Sequence, residues 1–157
     1  MPDTFKVKKG CGLFKRALLT FALSHGSLAI GTTATKVKTV TTTINYLING
    51  QFYSKAPTDD LWTLTGFNCA NGKFCRAILL LDSSGNASIA VSNQAATIEG
   101  CSNPPIPDNK CVVGTVTVNP TGTGNFTGGT TALNDGTVVP NAVYTNATVV
   151  IAKEWKT

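Results

Sequence analysis

The sequence predicts a mainly β protein, a sandwich, roll or barrel-like antiparallel domain, carrying an N-terminal arm that contains a short helix. Three observations lead there. Of 157 residues only 13% are charged and 42% are hydrophobic, and Thr, Asn, Gly and Ser make up the difference, a composition of weakly charged β surfaces. From Val40 onward, short segments of alternating apolar residues are separated by Gly, Asn and Pro turn signals. Charge is also polarised: residues 1–40 hold seven Lys and Arg against Asp3, a net of +6, so that the other 117 sum to −1 out of the overall +5. The chain therefore divides into a basic, apolar attachment arm, 1–33, and a β-rich domain, 34–157.

The arm opens with "TFKVKK", where Phe5 and Val7 alternate with Lys6 and Lys8, and Lys9 follows; this reads as a short half-buried or edge strand. "CGLFKRALLTFALSHG" then places Leu13, Phe14, Ala17, Leu18, Phe21 and Ala22 on one helical face, with Lys15 and Arg16 between them and Gly26 placed to end the helix. Leu19 and Leu23 spoil the opposite face. Such a helix packs on its own domain or docks onto another subunit. The uninterrupted apolar run, Ala17 to Leu23, includes Thr20 and is broken by Ser24, His25 and Gly26, so neither a signal peptide nor a membrane span is expected. The basic excess belongs to the arm, without the interleaved aromatics or arginine cluster of a nucleic-acid reader.

In the domain, Val40, Thr42, Ile44, Tyr46 and Ile48 share one face, and Asn49-Gly50 turns the chain into "QFYS". Further strands are expected in "LWTLTGF", "KFCRAILLLD", "ASIAVS", "CVVGTVTVN" and "AVYTNATVVIA", with turns at Asn71-Gly72 and Ser84-Gly85. The continuous apolar run Ala77 to Leu81 marks a central strand buried on both faces.

Between Asn119 and Asn146 the chain carries one charged residue, Asp135. Its glycines permit positive φ and its Thr and Asn side chains bond nearby backbone, so a large ordered loop system is expected. A phosphate cradle is not, because the G-x-G-x-x-G spacing from Gly122 meets Thr127, and no Gly-Lys-Ser/Thr follows. Low charge reduces the cost of burying the loop against a partner, so Gly122, Gly124, Phe126, Gly128, Gly129 and Tyr144 are candidates for a subunit interface.

Chemistry-bearing residues are sparse, and neither catalytic residues, a metal site nor a cofactor is expected. His25, the only histidine, has no acid to orient it and is read as helix-end capping or packing. Asp59-Asp60 start a turn after Pro57. Asp82 to Asn86 form a hairpin turn, since a calcium loop would need an acid where Asn93 stands. The cysteines are Cys11, Cys69, Cys75, Cys101 and Cys111. A two-residue loop at Asn71-Gly72 separates the Cys69 and Cys75 sulfurs onto opposite faces, while a three-residue loop sets them opposite each other. Cys101 and Cys111 bracket "SNPPIPDNK", a candidate bridged loop. The odd count favours free, buried thiols, with at least one bridge as the alternative. Sequons at Asn86, Asn125 and Asn146 are those expected by chance in an Asn/Thr-rich chain.

"ALSHGSLAIGTTATKVKT", "INGQFYSKAPTDDLWTLTG" and "VGTVTVNPTGTGNFTGGTTALNDGTVVPNAVYTN" together resemble small tailed-bacteriophage virion structural proteins, in particular capsid decoration or cement proteins. The resemblance spans about residues 22–147 and contains no catalytic motif; the cysteines and basic start match nothing in it. It implies a β-rich homotrimer made in the bacterial host cytoplasm that sits on the outer surface of the head and binds the major capsid protein, with no role for nucleic acid or membrane. Capsid contact is then expected from Phe5, Lys6, Val7, Lys8, Lys9, Leu13, Phe14, Lys15, Arg16, Leu18 and Phe21. The alternative is a head or tail fibre, a receptor-binding module whose outward loops contact host-surface saccharide.

Overall fold

The computed structural model describes residues 20–139 and 142–147, which form β-strands and turns. The strands run β1 (Phe21–Ala22), β2 (Leu28–Ile30), β3 (Lys36–Thr39), β4 (Ile44–Ile48), β5 (Gln51–Lys55), β6 (Trp62–Thr63), β7 (Asn68–Cys69), β8 (Cys75–Asp82), β9 (Ala87–Val91), β10 (Lys110–Val118), β11 (Phe126–Thr127) and β12 (Val143–Asn146). The protein is mainly β. Every strand pairing is antiparallel: a four-stranded sheet in the order β12-β10-β8-β9, three-stranded sheets β1-β4-β5 and β2-β3-β6, and the pair β11-β7.

The core lies between the four-stranded sheet and the smaller ones. β8 is central, flanked by β10 and β9, and its residues from Ala77 to Leu81 are all buried, as the continuous apolar run predicts. Ala77, Leu79 and Leu81 join Cys111, Val113, Val116 and Val118 of β10 in the main cluster. Against them β4 contributes Ile44, Tyr46 and Ile48, and the Tyr46 hydroxyl donates to the Asp82 carbonyl at 2.8 Å. Burial pushes the Tyr46 phenol upward, so it stays a neutral donor. From the third sheet, Trp62 is fully buried and its indole N–H reaches the Leu80 carbonyl at 3.1 Å. These two large polar-tipped aromatics thus tie both three-stranded sheets to the C-terminal part of β8.

Asn49 and Gly50, at φ 53° and 82°, close a two-residue hairpin with Ile48 opposite Gln51, as Asn-Gly predicts. Asp82 organises the next hairpin by accepting from the N–H groups of Ser84 (2.8 Å) and Asn86 (2.9 Å). Asp59-Asp60 do form a turn.

Two expectations are corrected. Phe21 and Ala22, assigned to a helical face, are strand β1, opposite Leu47 and Tyr46; Ser24 continues the attachment by donating to the Thr43 carbonyl and accepting from the Asn45 N–H. A short helix is marginal in water, whereas the β4 edge satisfies this backbone and buries Ala22. Gly26 accordingly ends no helix: a Cβ there would lie 2.7 Å from Ile44 Cδ1, so the glycine admits Ile44 to the core. The rest of the predicted helix and the "TFKVKK" strand lie outside the described residues. Residues 20–33 also belong to the β body, since β1 and β2 are paired and Ala22 and Leu28 are buried.

The second correction concerns Cys69 and Cys75, which form a disulfide across the turn at residues 70–73 with Cα atoms 5.8 Å apart. β7 pairs with β11 and not with β8, so neither hairpin register applies. Cys101 and Cys111 are free, buried thiols, the state the odd cysteine count favours, and do not bridge. Cys101 donates to the Phe74 carbonyl at one end of β8 (3.3 Å), while Cys111 is registered with Leu81 at the other. Seven residues of strand separate these points by ~23 Å. The connecting segment, 102–109, must therefore run the length of β8. Arg76 holds Asn103 from the face it shares with Ile78 and Leu80.

Candidate attachment surface

Of the residues expected to contact a capsid, Phe5, Lys6, Val7, Lys8, Lys9, Leu13, Phe14, Lys15, Arg16 and Leu18 lie outside the described residues, and Phe21 lies within them. The chain enters the body at Thr20, whose hydroxyl accepts from the Asn49 N–H at 3.0 Å beside the β4–β5 turn. Because strand side chains alternate, burial of Ala22, Ile44, Tyr46 and Ile48 turns Phe21, Leu23 and Leu47 to the outer face. Registered partners share a face, so Phe21, Leu47 and Phe52 make one row across β1, β4 and β5. At ~4.8 Å between strands the row is ~10 Å wide.

Phe52 is 62% exposed and Leu23 42%, large values for such side chains, while Phe21 and Leu47 are half-buried. The adjoining row comprises Leu23, Asn45 and Ser54, so neither row holds a charge that a partner would have to desolvate. Leu23, Leu47 and Phe52 are not among the contact candidates the sequence suggests. The signal was available: a two-residue hairpin at Asn49-Gly50 sets Leu47 directly opposite Phe52, on the face away from Tyr46.

The interface candidates between 119 and 146 have mostly internal duties. Phe126 is buried at 1% exposure, edge-on to Phe67 with ring centroids 5.3 Å apart, so a second chain cannot reach it. Tyr144 packs against the core, half-buried, and burial pushes its phenol up to about 12. A Cβ on Gly122 would stand 1.5 Å from the Thr137 carbonyl oxygen, and one on Gly128 2.0 Å from that of Leu64; both glycines permit the chain to pack on itself. Gly129 lies against Thr65, and Gly124 alone of the four has open space around its Cβ position. The loop is further tied to the 70–73 turn, where Asn71 N–H donates to Asn125 Oδ1 (2.9 Å) and Gly72 N–H to the Pro120 carbonyl (2.7 Å).

The polar groups are likewise committed to local structure. Asp59 accepts from the Thr32 N–H (3.1 Å) and hydroxyl, and Asp60 from the Thr33 N–H (3.0 Å) and hydroxyl. Hydrogen bonds from Thr32 hold the Asp59 carboxyl below the usual range, those from Thr137 do the same for Asp135, and the Asn86 N–H for Asp82. His25, expected at a helix end, is an exposed residue of the β1–β2 connection whose Nδ1 lies 3.3 Å from Ser27 Oγ. Asn86, Asn125 and Asn146 of the sequons all engage in hydrogen bonds, Asn146 Oδ1 accepting from Leu28 N–H at 3.2 Å. Among the described residues no three His, Cys, Asp or Glu side chains gather in a metal-sized group, and no helix is long and apolar enough to cross a membrane.

These features define a mainly β protein with an uncharged apolar face at the point where its basic arm joins. Comparison with protein-family models, curated proteins and solved structures finds no match.

Proposed function

We propose that the protein is a capsid decoration, or cement, protein of a tailed bacteriophage, binding the outer surface of the head and stabilising contacts between major capsid subunits. The observation that carries this reading is the position of the arm: residues 1–19 join the body at β1, next to the exposed Leu23 and Phe52 and the half-buried Phe21 and Leu47. A basic segment beside an uncharged apolar face suits attachment to another protein whose surface is acidic around an apolar patch. The Cys69–Cys75 bridge suits a virion surface, where disulfides persist.

The competing reading, a saccharide-binding fibre module, draws support from the outward Thr121, Thr123, Asn125 and Thr127. It lacks an aromatic platform in this loop, because Phe126 faces the core and Tyr144 packs against it. Self-association as a homotrimer at threefold or quasi-threefold positions completes the cement proposal. Its test compares heads with and without the protein: those without should release DNA at lower temperature or milder osmotic shock. Equal rupture points, with loss of adsorption to cells, would replace this reading with receptor binding.

A further inference from the structure

We propose that the row Phe21, Leu47 and Phe52, with Leu23, is the docking site of this chain's own segment 13–18, covered by Leu13, Phe14, Ala17 and Leu18. The inference concerns the protein before it meets any shell and does not depend on the cement reading. Phe52 is the most exposed large apolar side chain among the described residues and lies in line with Phe21 and Leu47, beside the row of Leu23, and neither row holds a charge.

Thr20 is fixed to Asn49, so the preceding residues emerge at the turn end of the sheet, beside the row they would cover. Leu18 is two residues from Thr20 and Leu13 seven. Seven residues reach ~10 Å even at the 1.5 Å rise of a helix, which equals the width of three strands, and further if extended. Lys15 and Arg16 fall between Phe14 and Ala17, where long stems allow their charges to stay in water while apolar neighbours pack. The tether decides between occupants. A segment held this close presents itself at an effective concentration on the order of millimolar, so it outcompetes a second copy or a separate protein of similar affinity at micromolar concentration.

Limited trypsin digestion of the full chain at low concentration tests this, with cleavage after Lys15 and Arg16 followed by mass spectrometry and cleavage after Lys6 as internal reference. Phe52→Asp removes the most exposed member of the row; Leu13→Asp with Phe14→Asp alters the segment and leaves the body untouched. Both variants should be cut after Lys15 and Arg16 about tenfold faster than the parent, the factor equivalent to ~1.4 kcal/mol of lost docking, with cleavage after Lys6 unchanged. Equal rates in the parent and both variants would overturn the inference. So would protection that rises with protein concentration, which assigns the row to a second copy's arm. Protection that persists in a protein unable to bind heads supports it, while removing the shell reading alone.

Discussion

At Gly128 a single methyl group would sit 2.0 Å from the Leu64 carbonyl oxygen and 2.6 Å from that of Phe67. Neither is a flexible side chain, so Gly128→Ala should cost about 2 kcal/mol or more in urea unfolding, whereas Gly136→Ala, with open space around it, should change stability little. Carboxylates act at the same scale. Asp59, Asp82 and Asp135 have folded-state pKa values below their ordinary ones, so the unfolded chain binds protons first as pH falls. Their contribution is complete above about pH 4–5, near and just above the ordinary carboxylate range, and is lost as pH drops through the lowered folded values. Melting temperature measured from pH 6 to pH 2 should therefore fall on the acid side, and Asp59→Asn or Asp82→Asn should flatten that fall; an unchanged slope in both would show the bonds contribute nothing.

Among the elements, the Cys69–Cys75 bridge closes the turn on which the long loop leans through Asn71 and Gly72. Replacing both cysteines by alanine should lower stability by about 2 kcal/mol, the chain-entropy expectation for so short a loop, and should increase hydrogen exchange between residues 119 and 131 more than in β8. Truncation separates arm from body. Deleting residues 1–19 should leave a folded protein by circular dichroism, while deleting 1–30 removes β1 and β2, with Ala22 and Leu28, and should unfold it or lower its melting temperature sharply. The same elements show what is legible in sequence. The β4–β5 hairpin and β8 could be read because Asn49-Gly50 and an apolar run are local signals. β1 could not: Phe21 and Ala22 fit a helical period as well as a strand, and only pairing with β4, over twenty residues later, decides between them. The bridge was equally hidden, since β7 takes its partner from β11, beyond residue 125. Phe126 could be taken for a subunit-interface residue because its true partner, Phe67, is far away in sequence. The apolar row was readable in part, through the hairpin register, but Phe21 joins it only through that same distant pairing.

For the whole molecule, a weakly charged β body with one basic arm offers a modest contact that symmetry can multiply. Three copies acting together bind more tightly than one by factors of ~10²–10⁴ when their geometry permits simultaneous engagement. Under the cement proposal, binding the assembled shell in preference to free subunits would stabilise that shell by linkage. The most direct measurement is a difference map from electron cryomicroscopy of particles with and without this protein. The account predicts extra density on the outside of the head, at threefold or quasi-threefold positions, with the β1–β4–β5 end and its arm toward the major capsid protein. Density confined to the tail or a fibre, with an unchanged head surface, would contradict it.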